Sequence, residues 1–79
     1  MKTIEETISE SIKAARKNSG LSQGELANKI DVTHSCISFW ENGVNVPNVR
    51  DVWKMADEFG MSIDELIGRD FYEDYRRQD

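Results

Sequence analysis

With 79 residues the chain has room for one domain, with a core near the lower limit of independent stability, and not for two. A hydrophobic content of 38% beside a charged content of 32% excludes the disordered and membrane classes. The net charge of −5 argues against a strong general affinity for phosphate backbones, because nucleic-acid binders are usually basic over the contact face.

No stretch approaches the roughly 20 apolar residues of a membrane span, and Met1–Glu6 lacks the apolar core of a signal peptide, so a cytoplasmic protein is expected. Cys36 is the only cysteine and cannot form an internal disulfide; His34 is the only histidine, so no metal-ligand cluster is expected. A glycine-rich phosphate loop and an acid–base constellation are both missing. The reading is therefore of a non-enzyme with no cofactor, no metal and no evident small-molecule ligand.

Ile4, Ile8, Ile12 and Ala15 mark one stripe of a first amphipathic helix that runs to about Asn18, before Gly20 ends it. Arg16 sits on or beside that stripe. Ser22 with Glu25 forms a capping box for a second helix, whose apolar face is Leu26, Ala27 and Ile30. Asp31 tolerates the left-handed conformation that a helix stop needs, Val32 follows as a plug, and Thr33 is the next N-cap. In the third helix Ile37 and Trp40 can point inward, which leaves His34, Ser35 and Ser38, with Phe39 beside them, on another face. Two short helices over residues 22–42, the second carrying small polar groups at its start, can place side chains against base edges in a major groove.

Asn42-Gly43 reads as a left-handed stop and Val46-Pro47 as an extended approach to helix four. Asn48 can cap that helix, with Val49, Val52, Met55, Ala56 and Phe59 as its buried face. Trp53 falls off the stripe and either covers the core edge or belongs to a dimer patch. Ser62 and Glu65 box the start of helix five, where Ile63, Leu66 and Ile67 pack before Gly68. Beyond it, Asp70 and Glu73 form another capping box, with Phe71 and Tyr75 one turn apart. A short sixth helix and a frayed, solvated tail both fit that segment.

The order Gly20-Leu-Ser-Gln, Glu25-Leu-Ala, Val32-Thr33, Ile37-Ser38, Trp40-Glu-Asn-Gly43 and Pro47 resembles the phage Cro and repressor-type helix-turn-helix family, also called XRE. Upstream Ile8, Ile12 and Arg16, and downstream Ala56, Phe59-Gly60, Ser62 and Asp64-Glu-Leu66, extend the likeness over residues 8–68. It implies an all-α fold, a compact five-helix lambda-repressor-like DNA-binding domain over residues 1–68, with the helix-turn-helix at 22–42 and a tail or short helix at 69–79. It further implies a sequence-specific transcription regulator, of repressor type, for double-stranded DNA. His34, Ser35, Ser38 and Phe39 would face bases, while Ser22, Gln23, Thr33, Cys36 and Asn45 would lie at phosphates. Arg16 and Glu41 would form a structural ion pair. A homodimer is expected, through residues used by neither the core nor the DNA face: Trp53, Met61, Phe71, Tyr72 and Tyr75. One departure stands out. The family commonly carries lysine or arginine in the loop after the third helix, and this chain has Val44, Asn45 and Val46 there. That loop and the acidic balance leave an alternative, an antitoxin or anti-repressor that keeps the fold and acts by binding another protein.

Overall fold

The computed structural model describes residues 2–69; the expectations placed on Phe71, Tyr72, Tyr75 and a sixth helix lie outside them. Five α-helices follow one another: α1 (Ile4–Asn18), α2 (Gln23–Ile30), α3 (His34–Glu41), α4 (Val49–Phe59) and α5 (Ile63–Ile67). Each begins at a residue whose side-chain oxygen accepts a backbone N–H: Thr3, Ser22, Thr33, Asn48 and Ser62. At Thr3, Ser22 and Ser62 the bond is returned, because Glu6, Glu25 and Glu65 accept from the N-cap backbone. The backbone and hydroxyl bonds at Thr3 and Ser22 hold the Glu6 and Glu25 carboxyls below the usual carboxylate range. The stops are equally local: Asp31, Gly60 and Gly68 take the left-handed conformation after α2, α4 and α5.

Five large side chains are wholly buried, one from each helix: Ile12, Leu26, Ile37, Met55 and Leu66. Ala15, Ala27, Ile30, Trp40, Val52 and Ala56 complete the core around them. Helix α1 packs on α3 and α5, α2 on α3 and α4, and α4 on α5. Burial of each of the five large residues contributes on the order of 1.5–3 kcal/mol, so no helix is a spectator to stability.

Three apolar residues expected inside lie outside: Ile4, Val49 and Ile63 are exposed. All three are the first residue of their helix. A helical side chain leans toward the N-terminus and covers the turn before its own Cα, and at the first position no packed turn is there to receive it. Trp53 is 61% exposed and so does not cover the core edge, one of the two places open to it.

Gly68 joins two distant parts of the chain. Its φ is +78°, and a Cβ there would stand 3.0 Å from Thr7 Cγ2 of α1. The end of α5 lies close over α1, where the Ser11 hydroxyl donates to the Glu65 carbonyl at 3.5 Å.

Candidate nucleic-acid interface

The turn between α2 and α3 is Asp31, Val32 and Thr33. Asp31, at φ 60° and ψ 52°, is the only non-glycine residue with positive φ among the described residues. Its short polar side chain lowers the cost of that conformation. The Val32 N–H then returns to the Ala27 carbonyl at 3.0 Å, and half-buried Val32 packs against the core. Helix α3 is anchored from beneath by Ile37 and Trp40. His34, Ser35 and Phe39 are exposed and Ser38 is half-buried, with Ser38 Oγ accepting from Asn42 Nδ2 at 3.2 Å. The four residues expected at bases thus share the outer side of one two-turn helix.

Beneath that surface runs a chain of side-chain hydrogen bonds. Arg16 of α1 meets Glu41 of α3 in a two-pronged pair, Nε to Oε2 at 2.6 Å and Nη2 to Oε1 at 3.0 Å. Both residues are buried, and Arg16 Nη1 donates to the Leu21 carbonyl at 2.8 Å. Gln23, at the first position of α2, donates from Nε2 to Glu41 Oε1 at 3.0 Å. The Gln23 Oε1 lies 2.9 Å from His34 Nε2 at the start of α3. Burial pushes the Glu41 carboxyl up, but the bonds from Arg16 and Gln23, then the charges of Arg16 and Lys13, outweigh it and hold the carboxyl below its usual range. The bond to Glu41 raises the Arg16 guanidinium despite its burial.

The residues expected at phosphates differ in what they have left to offer. Gln23 has its carbonyl and one amide N–H engaged, with a second amide N–H and its backbone N–H at the α2 terminus remaining. The Ser22 Oγ accepts from the Glu25 N–H at 3.0 Å, which leaves its own proton to donate. Thr33 Oγ1 accepts from the Cys36 N–H at 3.3 Å, and its hydroxyl points at Cys36 Sγ, also 3.3 Å away. Cys36 is half-buried and packs against the core, while Asn45 is exposed. The loop around Asn45 exposes Val44 and Val46. Two lysines of the neighbouring helices are otherwise engaged: Lys29 lies 3.6 Å from Glu58, and Lys54 donates to the Ile30 carbonyl at 3.3 Å, where the end of α2 favours a cation.

Two features escaped the reading of the sequence. The bonds of Gln23 to Glu41 and His34 join three helices, and residue spacing carries no trace of them. Asp51 is buried in the first turn of α4, its Oδ1 without a hydrogen bond and 3.8 Å from Arg50 Nε. A signal for that position exists, since Asn48 followed three residues later by an acid is close to a capping box, and the Asp51 N–H does donate to Asn48 Oδ1 at 2.9 Å. Among the described residues no group of His, Cys, Asp and Glu could hold a metal ion, and no helix is long and apolar enough to cross a membrane.

Two helices joined by a three-residue turn, the second pinned by apolar residues below and by an ion pair to α1 at its end, define a helix-turn-helix domain. Residues 12–66 match the Helix-turn-helix family HTH_3, and the chain belongs to that family. It is 32% identical over 60 residues to the HTH-type transcriptional activator BcrR of Enterococcus faecalis, covering 76% of this chain and 29% of that protein. It is likewise 32% identical over 62 residues to the cryptic phage CTXphi transcriptional repressor RstR of Vibrio cholerae, covering 78% of this chain and 55% of that one. The chain therefore spans about a third to just over half of these relatives. Among solved structures, the clp gene regulator ClgR from Corynebacterium glutamicum has the same fold, with a TM-score of 0.75 at 18% identity over 85% of this chain and 87% of that one. An HTH_3 family transcriptional regulator from Vibrio cholerae superposes with a TM-score of 0.74 at 25% identity, over 85% of this chain and 38% of that one.

Proposed function

We propose that this chain is a sequence-specific, double-stranded-DNA-binding transcription regulator that acts as a repressor in the cytoplasm, binding a palindromic site as a homodimer. The observation that carries the proposal is the outer face of α3: His34, Ser35, Ser38 and Phe39 stand together on a helix whose end is tied to α1 through Glu41 and Arg16. A face so held keeps its register against base edges, which specificity requires. Ser22, Gln23, Thr33, Cys36 and Asn45 serve the phosphates on either side, with the N-termini of α2 and α3 favouring anions. The match to the repressor relative supports repression, and the equal match to the activator leaves the direction of control to the transcription assay below.

Affinity from one copy is low, because the loop of Val44, Asn45 and Val46 brings no cation to the backbone. A second copy, engaged one DNA turn away at roughly 34 Å, supplies the remainder. Trp53 is the exposed described member of the proposed contact; Met61, expected outside the core, is half-buried against it, and Phe71, Tyr72 and Tyr75, the other proposed members, lie outside the described residues. Selection of bound sites from random duplexes tests the proposal: enrichment of a palindrome, and lowered transcription from a promoter carrying it, are expected.

The exposed valines of that loop and the net charge of −5 favour a second reading, a module that binds another protein as an antitoxin or anti-repressor does. A salt titration decides. Phosphate neutralisation makes log K fall against log salt by about 0.9 per contact, whereas duplex binding that is absent at low salt leaves the second reading standing alone.

A further inference from the structure

The hydrogen bonds beneath α3 dictate more than the position of its first residue. A carboxylate accepts hydrogen bonds and donates none, so Glu41, already holding Arg16, can take only an N–H from Gln23. That requirement orients the Gln23 amide: turned over, its oxygen would oppose the Glu41 carboxylate at the same 3.0 Å. With the amide nitrogen committed to Glu41, the Gln23 carbonyl faces His34 Nε2 at 2.9 Å. A carbonyl has no proton, so Nε2 must carry one. In a neutral imidazole the other nitrogen, Nδ1, is then an unprotonated acceptor, and among the described residues it makes no hydrogen bond.

We propose that the Arg16–Glu41 pair, acting through Gln23, holds neutral His34 as the Nε2–H tautomer, so that Nδ1 accepts a hydrogen bond from the exocyclic amino group of adenine or cytosine at one position of the DNA site. In the major groove adenine N6 and cytosine N4 are the amino donors, while guanine N7 and O6 and thymine O4 are acceptors that an unprotonated nitrogen repels. Glu41 is a positioning residue here. It is the buried last residue of α3 and acts on the base only through the proton it compels on His34. The last step, from tautomer to base, rests on the DNA-binding function proposed above; the tautomer itself does not.

Long-range proton–nitrogen NMR on the free, 15N-labelled chain reads the tautomer directly, at a pH where the ring is neutral. The expected result is a single species with Nε2 protonated, giving way to a mixture in Gln23→Leu, while Arg16 and Glu41 remain paired. A mixture in the wild-type chain, a protonated Nδ1, or identical spectra in the two proteins would overturn the proposal. At the base pair whose preference His34→Ala abolishes, removing the exocyclic amino group, with purine in place of adenine or pyrimidin-2-one in place of cytosine, should weaken the wild type several-fold more than it weakens His34→Ala or Gln23→Leu. An equal loss in the wild type and in His34→Ala would overturn the assignment of Nδ1 as the reading atom. A chain that shows the expected tautomer and binds no duplex would overturn the DNA-binding function and leave the tautomer in place.

Discussion

Arg16 Nε and Glu41 Oε2 meet at 2.6 Å although 25 residues separate them, and both side chains are almost wholly withdrawn from solvent. A pair so buried contributes little net stability over apolar residues of the same shape, because desolvation offsets most of the attraction. Losing one member is different, since the other is left charged and unpaired. Arg16→Ala is therefore expected to destabilise the fold by about 3–5 kcal/mol, a large share of what a domain this small can hold. Urea denaturation measures it, and a midpoint within error of the wild type would contradict the burial of Glu41.

Acid should act through the same pair. The Glu41 carboxyl is held below its ordinary range in the folded chain, so its contribution is complete above the unfolded value of about 4.3 and is lost as pH falls through the depressed folded value. Glu6 and Glu25 shift in the same direction and add to the loss in that window. The stability gap between the wild type and Glu41→Gln is expected to narrow as pH falls below about 4, as read from denaturation midpoints along a pH series. A gap that widens there would reverse the sign of the argument.

Gly68 and Gly60 separate two costs. Both have positive φ, but a Cβ at Gly60 meets nothing within 4 Å, whereas one at Gly68 meets Thr7 Cγ2 at 3.0 Å. Gly60→Ala should cost about 1–2 kcal/mol, the left-handed penalty alone. Gly68→Ala should cost more, and combining it with Thr7→Ser, which removes the opposing methyl, should recover part of the excess. Additive effects in that cycle would show that α1 and α5 give way without strain.

Ser35→Ala and Phe39→Ala are expected to change which bases are preferred, each at its own position, because their side chains face the groove in the proposed complex. Asn45→Ala, in the loop, should weaken every site alike by a few-fold. Parallel site selections with the three variants distinguish these outcomes, and a common profile in all of them would remove the reading role from α3.

Trp53 and Val49 are exposed one turn apart on α4. Trp53→Ala should leave the denaturation midpoint near that of the wild type, since little of the ring is buried in one chain, and should reduce cooperative binding to a palindrome while half-site binding persists. Equal loss on both kinds of site would place the dimer contact elsewhere.

The elements were legible because their ends are chemical and local. Ser22 with Glu25, Thr33, Asn48 and Ser62 with Glu65 cap helices using bonds within four residues. The inner face of α3 was legible for a similar reason, since Ile37 and Trp40 are the apolar residues a helical period turns inward. Ile4, Val49 and Ile63 were misread because period describes a face and not where its neighbours stop. The Arg16–Glu41 contact is implied by family likeness alone; on the residues themselves Arg16 is one more helix charge. Nothing in spacing links Gln23 to His34, because that bond depends on the angle at which α2 and α3 cross.

That every helix places one large residue in the same closed core has a consequence for how the molecule can be regulated. A helix bound by its own local contacts could fray and reform while the rest stayed intact. Here lifting α3 withdraws Ile37 and Trp40 from the shared core and breaks its packing on α1 and α2, so opening that helix costs a large share of what holds the chain folded. The protein is left with two populated conditions, folded with α3 set for use or unfolded altogether. On the proposed function, control then falls to abundance, pairing or access to a site, because melting α3 alone offers no low-cost intermediate setting.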